Sequence, residues 1–151
     1  LWAGWGVGML IGSFVLRPLL VQSIHKSPQM IFLFATALMS LGFIGIFWAS
    51  DWWARVGWAL VAGIGDGLSE IAFRQTLQGL SDKMRGSAFG LAETFINTGF
   101  ISGMLLVGWG ASLNNIQLWV LCLHGIPIAI SIFLLSSYRM RSATIIPSPQ
   151  Q

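Results

Sequence analysis

The sequence predicts an all-α protein, a polytopic transmembrane helix bundle of about five spans, and three observations lead there. Of its 151 residues 55% are hydrophobic and 9% charged, whereas a soluble domain carries about a quarter charged residues and just under half apolar ones. No Asp, Glu, Lys or Arg lies between Glu93 and Arg139, so a water-facing surface has nothing to be built from over that stretch. The apolar residues also fall into runs of about 20, the length a helix needs to cross a ~30 Å hydrocarbon core.

The first span covers residues 1 to 21 and holds Arg17 near its far end, where a long side chain snorkels to the interface. Leu1 already lies inside this apolar stretch, without an initiator Met or a basic leader, so N-terminal sequence is expected to be missing. The second span, 30 to 49, contains no charge, and the third, 55 to 79, contains Asp66, Glu70 and Arg74. The fourth, 87 to 111, holds Glu93, and two GxxxG pairs, Gly86 with Gly90 and Gly99 with Gly103, lie in or beside it. Small residues four apart let helix backbones approach closely, so these pairs predict helix packing. The fifth, 116 to 138, contains His124, expected as a neutral hydrogen-bonded side chain, and Pro127, expected to kink the helix. Polar or turn-forming connections are expected at Ser23 to Pro28, Ser50 to Trp53, Ser81 to Arg85 and Ser112 to Asn115. The bundle thus occupies residues 1 to 141, and residues 142 to 151, with Pro147 and Pro149, read as a disordered tail.

The net charge of +3 does not point to nucleic acid, because the basic residues form short clusters between apolar runs and no basic face. Those clusters give an orientation instead, since short cytoplasmic loops are rich in Lys and Arg. With five alternating spans, Lys26, Lys83, Arg85, Arg139 and Arg141 share one side and Arg55 alone takes the other. The C-terminus is then cytoplasmic, in a plasma or bacterial inner membrane. All eight tryptophans fall at or near the opposite, external ends of the spans, as expected for rings that gather at a membrane interface. The lone Cys122 allows neither a disulfide nor a cysteine metal site within the chain, and neither a cofactor nor a metal is expected.

A charge in the bilayer centre is costly, so intramembrane ionisable residues are functional candidates. Asp66, Glu70 and Arg74 are spaced four apart, which sets acid, acid and base along one helix face. At a rise of 1.5 Å per residue Asp66 lies about 20 Å from the end of its span, near the midplane. It is expected to take up a proton or face a cationic ligand in a water-lined cavity, while Arg74 is expected to pair with Glu93 on the neighbouring helix or with Glu70 one turn away, the pair with Glu93 neutralising two charges and fixing the two helices. The flanking Gly63, Gly65 and Gly67 are expected to weaken the helix there and expose its backbone.

Two stretches resemble a known family. Residues 18 to 28, PLLVQSIHKSP, are similar to the basic loop between helices eight and nine of major facilitator superfamily transporters. Val21 and Gln22 stand where that loop usually has Asp and Arg, and His25 and Lys26 keep its basic pair. Residues 81 to 90, SDKMRGSAFG, resemble the turn from helix ten into helix eleven through Arg85, Gly86 and Gly90. The resemblance implies the last five helices of a twelve-helix fold, with residues 55 to 79 lining the central cavity, and transport by alternating access. It also implies that the remaining helices of the same polypeptide, the bilayer and a small-molecule substrate are the partners.

The function expected is therefore transport of a small organic solute by a secondary permease or exporter, with proton coupling through Asp66 or Glu70. Acidic midplane residues suit a lipophilic or cationic solute. A structural subunit of a membrane complex is the first alternative. An intramembrane lipid-modifying enzyme is the second: Asp66-Gly67 resembles the opening of the phosphatidyltransferase signature, but Glu70-Ile71 replaces its Ala-Arg. With no Ser, His, Asp set and no phosphate loop in the sequence, the chain is not expected to be an enzyme.

Overall fold

A helix brings its backbone close to two neighbours at once where both of the faces it offers are small, and residues 59 to 72 are built that way: Ala59, Ala62, Gly63, Gly65, Gly67 and Ala72 are all buried. They belong to the third of five helices in the computed structural model, which describes residues 1–111 and 115–143. The helices are α1 (Trp2–Lys26), α2 (Pro28–Trp48), α3 (Trp52–Gln78), α4 (Asp82–Ala111) and α5 (Ile116–Ala143). All five contain stretches long and apolar enough to cross a membrane, and no strand occurs among the described residues.

The helix α3 lies between α1 and α2. On one side, a methyl group added at Gly63 would meet the carbonyl of Trp5 and lie 2.8 Å from the amide nitrogen of Met9, and one at Gly67 would lie 2.6 Å from the Met9 carbonyl oxygen. On the other side, a methyl group at Gly65 would lie 2.7 Å from the Ala35 carbonyl oxygen, and one at Gly42 of α2 would lie 2.5 Å from the Ala62 nitrogen. The expected weakening of the helix at these glycines is not found: α3 is helical throughout. Their missing side chains let two backbones close in, the arrangement that dispersion forces favour in lipid.

Residue pairing gives the direction of each helix. In α1 and α3, Gly8 sits against Leu60 and Gly12 against Ile64, so these two run parallel. The pairs Gly45 with Trp58 and Phe32 with Phe73 make α2 antiparallel to α3. Phe43 stacks on His124, with centroids 4.8 Å apart, and Gln117 donates to the Phe47 carbonyl at 3.1 Å, so α5 runs back along α2. Trp109 meets Trp119 edge to face at 6.1 Å. The tryptophans consequently gather at one end of the bundle, and Lys26, Lys83 and Arg85 lie at the other.

Several expected boundaries need correction. His25 and Lys26 lie in the last turn of α1, and Arg85, Gly86 and Gly90 lie within α4, not in loops. Nothing in residues 21 to 26 breaks a helix; the chain turns at Ser27, with φ −150° and ψ 66°, where Pro28 biases the residue before it away from the helical region. Trp52 and Trp53 likewise belong to α3, whose start is fixed by Asp51, its carboxylate accepting from the Ala54 N–H at 2.8 Å. Arg85 ties down the next turn, donating to the Leu80 carbonyl at 3.0 Å and pairing with Asp82 at 3.0 Å. Residues 142 and 143 continue α5. The expected connection at 112–114 and the rest of the expected tail, 144–151, lie outside the described residues.

Two features were not expected at all. Residues Ile11–Leu16 of α1 form a π-helical stretch. Pro18 within the same helix supplies no N–H to the carbonyl of Phe14 and crowds it, and widening the turn is a recognised way for a helix to absorb that fault. The second feature is the isolation of α4, where Gly110 alone is buried between residues 82 and 110. Methyl groups at Gly86, Gly90, Gly99 and Gly103 would meet nothing within 4 Å, so the GxxxG pairs, expected to pack helices, do not do so among the described residues. The spacing permits close approach but supplies no partner.

This division of the glycines gives a direct test. Gly65→Val should lower stability in detergent micelles by about 1–3 kcal/mol, the usual cost of overpacking a closed interface, whereas Gly99→Val should stay within about 0.5 kcal/mol. Equal losses in urea-induced unfolding would contradict the assignment of the close contacts to α3.

Candidate functional site

The residues of α3 left over from its two packed faces form the candidate site. Asp66, Ser69, Glu70 and Phe73 follow a spacing of three and four, so they share one side of the helix. From α2, Phe32, Thr36 and Met39 follow the same spacing and face them, and Ile96 of α4 closes the third side. Together these side chains line a groove of about 280 Å³. Its apolar wall includes Phe32 and Phe73, tilted by 36° with centroids 5.9 Å apart.

The charges within and beside the groove are unequally matched. Arg74 binds the Glu70 carboxylate one turn back through its Nε, and its Nη2 lies 3.9 Å from Oε1 of Glu93 on α4. The structure therefore brings together the three residues for which the sequence left two pairings open, and Arg74 spans both. Arg74 is about half exposed, with 51% of its side-chain surface accessible, so its charge is not sealed inside the bundle. Asp66, one turn deeper than Glu70, makes no hydrogen bond or ion pair through its carboxylate among the described residues; its backbone carbonyl accepts from Ser69 Oγ at 2.9 Å. Asp66 and Glu70 thus line the same groove, but only Glu70 has a cationic partner.

Elsewhere, His25 lies against Gln75, with Nδ1 and Nε2 3.2 Å apart, which ties the end of α1 to α3. His124, expected to be hydrogen-bonded, instead stacks on Phe43 at the α2/α5 contact and makes no hydrogen bond among the described residues. Among the described residues no three of His, Cys, Asp and Glu converge as metal ligands.

Reasoning from charge alone missed Phe32, Thr36, Met39, Ser69, Phe73 and Ile96. One signal was available: Thr36 and Ser69 are polar residues in apolar helices, and the spacing around each would have grouped its neighbours. What the sequence did not contain was the rotation of α2 that turns Thr36 toward Asp66.

Arg74→Gln, Glu70→Gln, Glu93→Gln and the corresponding double variants should separate the two contacts of Arg74. Thermal unfolding in micelles should give coupling energies on the order of 0.5–1 kcal/mol, larger for Glu70 than for Glu93. Purely additive losses at both would mean that neither contact forms in solution.

Against this geometry, no family model, no curated protein and no solved structure matches the chain.

Proposed function

We propose that the chain belongs to a secondary transporter that moves a small organic solute across a membrane, with the groove at Asp66 as part of its substrate or proton pathway. The observation that supports this most directly is the unpartnered carboxylate of Asp66, about halfway along α3, in a groove lined by three helices. An ionisable group kept at that depth is costly, and Arg74 is committed to Glu70 and Glu93. A solute cation or a proton is then the natural counterpart of Asp66. The π-helical stretch of α1 beside α3 adds support, because such stretches are frequent at functional sites.

The two stretches that resemble the major facilitator superfamily lead us to propose a transporter of that type, working by alternating access between the two sides of the membrane. In that arrangement the five helices are the last five of twelve, the Lys and Arg end is cytoplasmic, and the remaining helices cover α4. The exposure of α4 equally suits a structural subunit of a membrane complex, which is the second reading. Transport measurements separate the two, since a structural subunit moves no solute.

In proteoliposomes carrying the complete twelve-helix polypeptide of this reading and an imposed pH gradient, uptake of radiolabelled tetraphenylphosphonium serves as the probe. Asp66→Asn should reduce uptake about tenfold, the effect of removing one interaction worth ~1.4 kcal/mol, with the amount of inserted protein unchanged. Uptake that is equal in the two proteins at every pH would refute the role of Asp66, and absence of any solute movement by the unaltered chain would favour the structural reading.

A further inference from the structure

The α1/α3 seam opens again toward its Lys26 end. Above, Gly67 is closed against Met9 and Ser13; below, Gln75 meets His25. Between these closures lies a cavity of about 190 Å³ lined by Arg17 of α1 and by Ile71, Arg74, Gln75 and Gln78 of α3. Two guanidinium groups from two helices therefore line one space, together with two side-chain amides.

The charges facing this cavity do not cancel. Arg74 is matched by Glu70 on its own helix and by Glu93 across on α4. Arg17 makes no ion pair or hydrogen bond among the described residues, and no acidic side chain lines the cavity. Arg17 is thus the cation lining the cavity that has no anionic partner among the described residues, beside Gln75 and Gln78. We propose that this cavity holds the phosphodiester of a monoanionic phospholipid, with Arg17 as its counter-ion and the glutamine amides and the free edge of Arg74 as further donors.

Three features favour a lipid over a free anion. One cation, Arg17, lacks a partner, which matches the single charge of a phosphodiester with an uncharged headgroup such as phosphatidylglycerol; in a zwitterionic headgroup the lipid's own ammonium competes with Arg17 for the phosphate. Arg17 lies nine residues before the end of α1, about 13 Å along the axis, and the cavity it lines reaches Gln78, the last residue of α3, at the end of the helix where a headgroup sits. Toward the membrane interior the same helix exposes Leu10 and Phe14, the latter at 73%, which gives acyl chains an apolar surface next to the anchored headgroup. Basic pockets between spans are a known form of headgroup recognition, and Arg suits phosphate because its planar fork presents several donors at once.

The site is tested on the full chain purified in micelles with equal amounts of phosphatidylglycerol and phosphatidylcholine of matched acyl chains, counting retained lipids by native mass spectrometry. The unaltered chain should retain phosphatidylglycerol preferentially and gain thermal stability from it. Arg17→Gln should lower that preference about fivefold, as expected for one interfacial arginine, and remove the gain. Gln78→Leu, which keeps both guanidinium groups, should lower the preference by a smaller factor and serves in place of Arg17→Gln if that variant does not fold. An unchanged preference in the folded variant overturns the site. Stabilisation by millimolar inorganic phosphate that phosphatidylglycerol does not exceed overturns the lipid as its occupant.

Discussion

The close approach of α3 to both α1 and α2 is the contact on which the rest of the arrangement depends. In water, burying large apolar side chains drives helices together, but between helices in lipid that force is largely absent and contact area has to come from near approach. Gly63 and Gly67 admit the α1 backbone, and Gly65 with Ala62 admits α2 around Gly42. The largest side chains, by contrast, are turned outward: Phe14, Trp53, Phe95 and Leu105 are each strongly exposed. A core in which Ala, Gly and Ser predominate, with Phe, Trp and Leu turned outward, is the reverse of a soluble core and is compatible with lipid as the solvent.

That packing also decides where the charges go. With small residues committed to two faces, the Asp66, Ser69, Glu70 and Phe73 side of α3 is left facing the groove, and Arg74 sits at its border. Arg74 joins the two polar regions of the helix. Toward the groove it is held by Glu70 and Glu93, and toward the α1/α3 seam it lines the cavity it shares with Arg17. Because the glycines fix the rotation of α3, a substitution at Gly65 is expected to disturb the electrostatics of both regions without changing any charged residue.

Small-residue spacing is a condition for close packing and not its cause. The GxxxG pairs of α4 have the same spacing as Gly63 and Gly67 of α3, yet only the α3 pair meets a backbone. The difference lies in what each helix faces. Successive helices α1, α2 and α3 alternate in direction through short turns at Ser27 and at Ala49–Asp51 and pack together, whereas α4, after the turn held by Arg85 and Asp82, meets α3 through Glu93, the groove through Ile96 and α5 through Trp109. The tryptophans need no such geometry to reach one end, since their places in the sequence and the alternation of the helices suffice.

The sequence alone determined the fold class, the number of helices and the residues worth suspecting, because composition, run length and the rarity of charge in apolar stretches are local properties that survive without a structure. It determined the acid, acid, base order along α3 for the same reason, since helical spacing is local. It did not determine that Ser23 to Lys26 and Asp82 to Arg85 are helical: polar residues resemble loops until a breaker such as Pro28 is seen to set the boundary. The tertiary structure decided which partner each charge has, leaving Asp66 alone while Arg74 takes both glutamates. It decided that Phe32, Thr36 and Met39 face Asp66, and that Arg17 and Arg74 line one cavity. Such pairings depend on the rotation and depth of one helix against another, and those are set by backbone contacts at residues whose side chains carry no chemistry of their own.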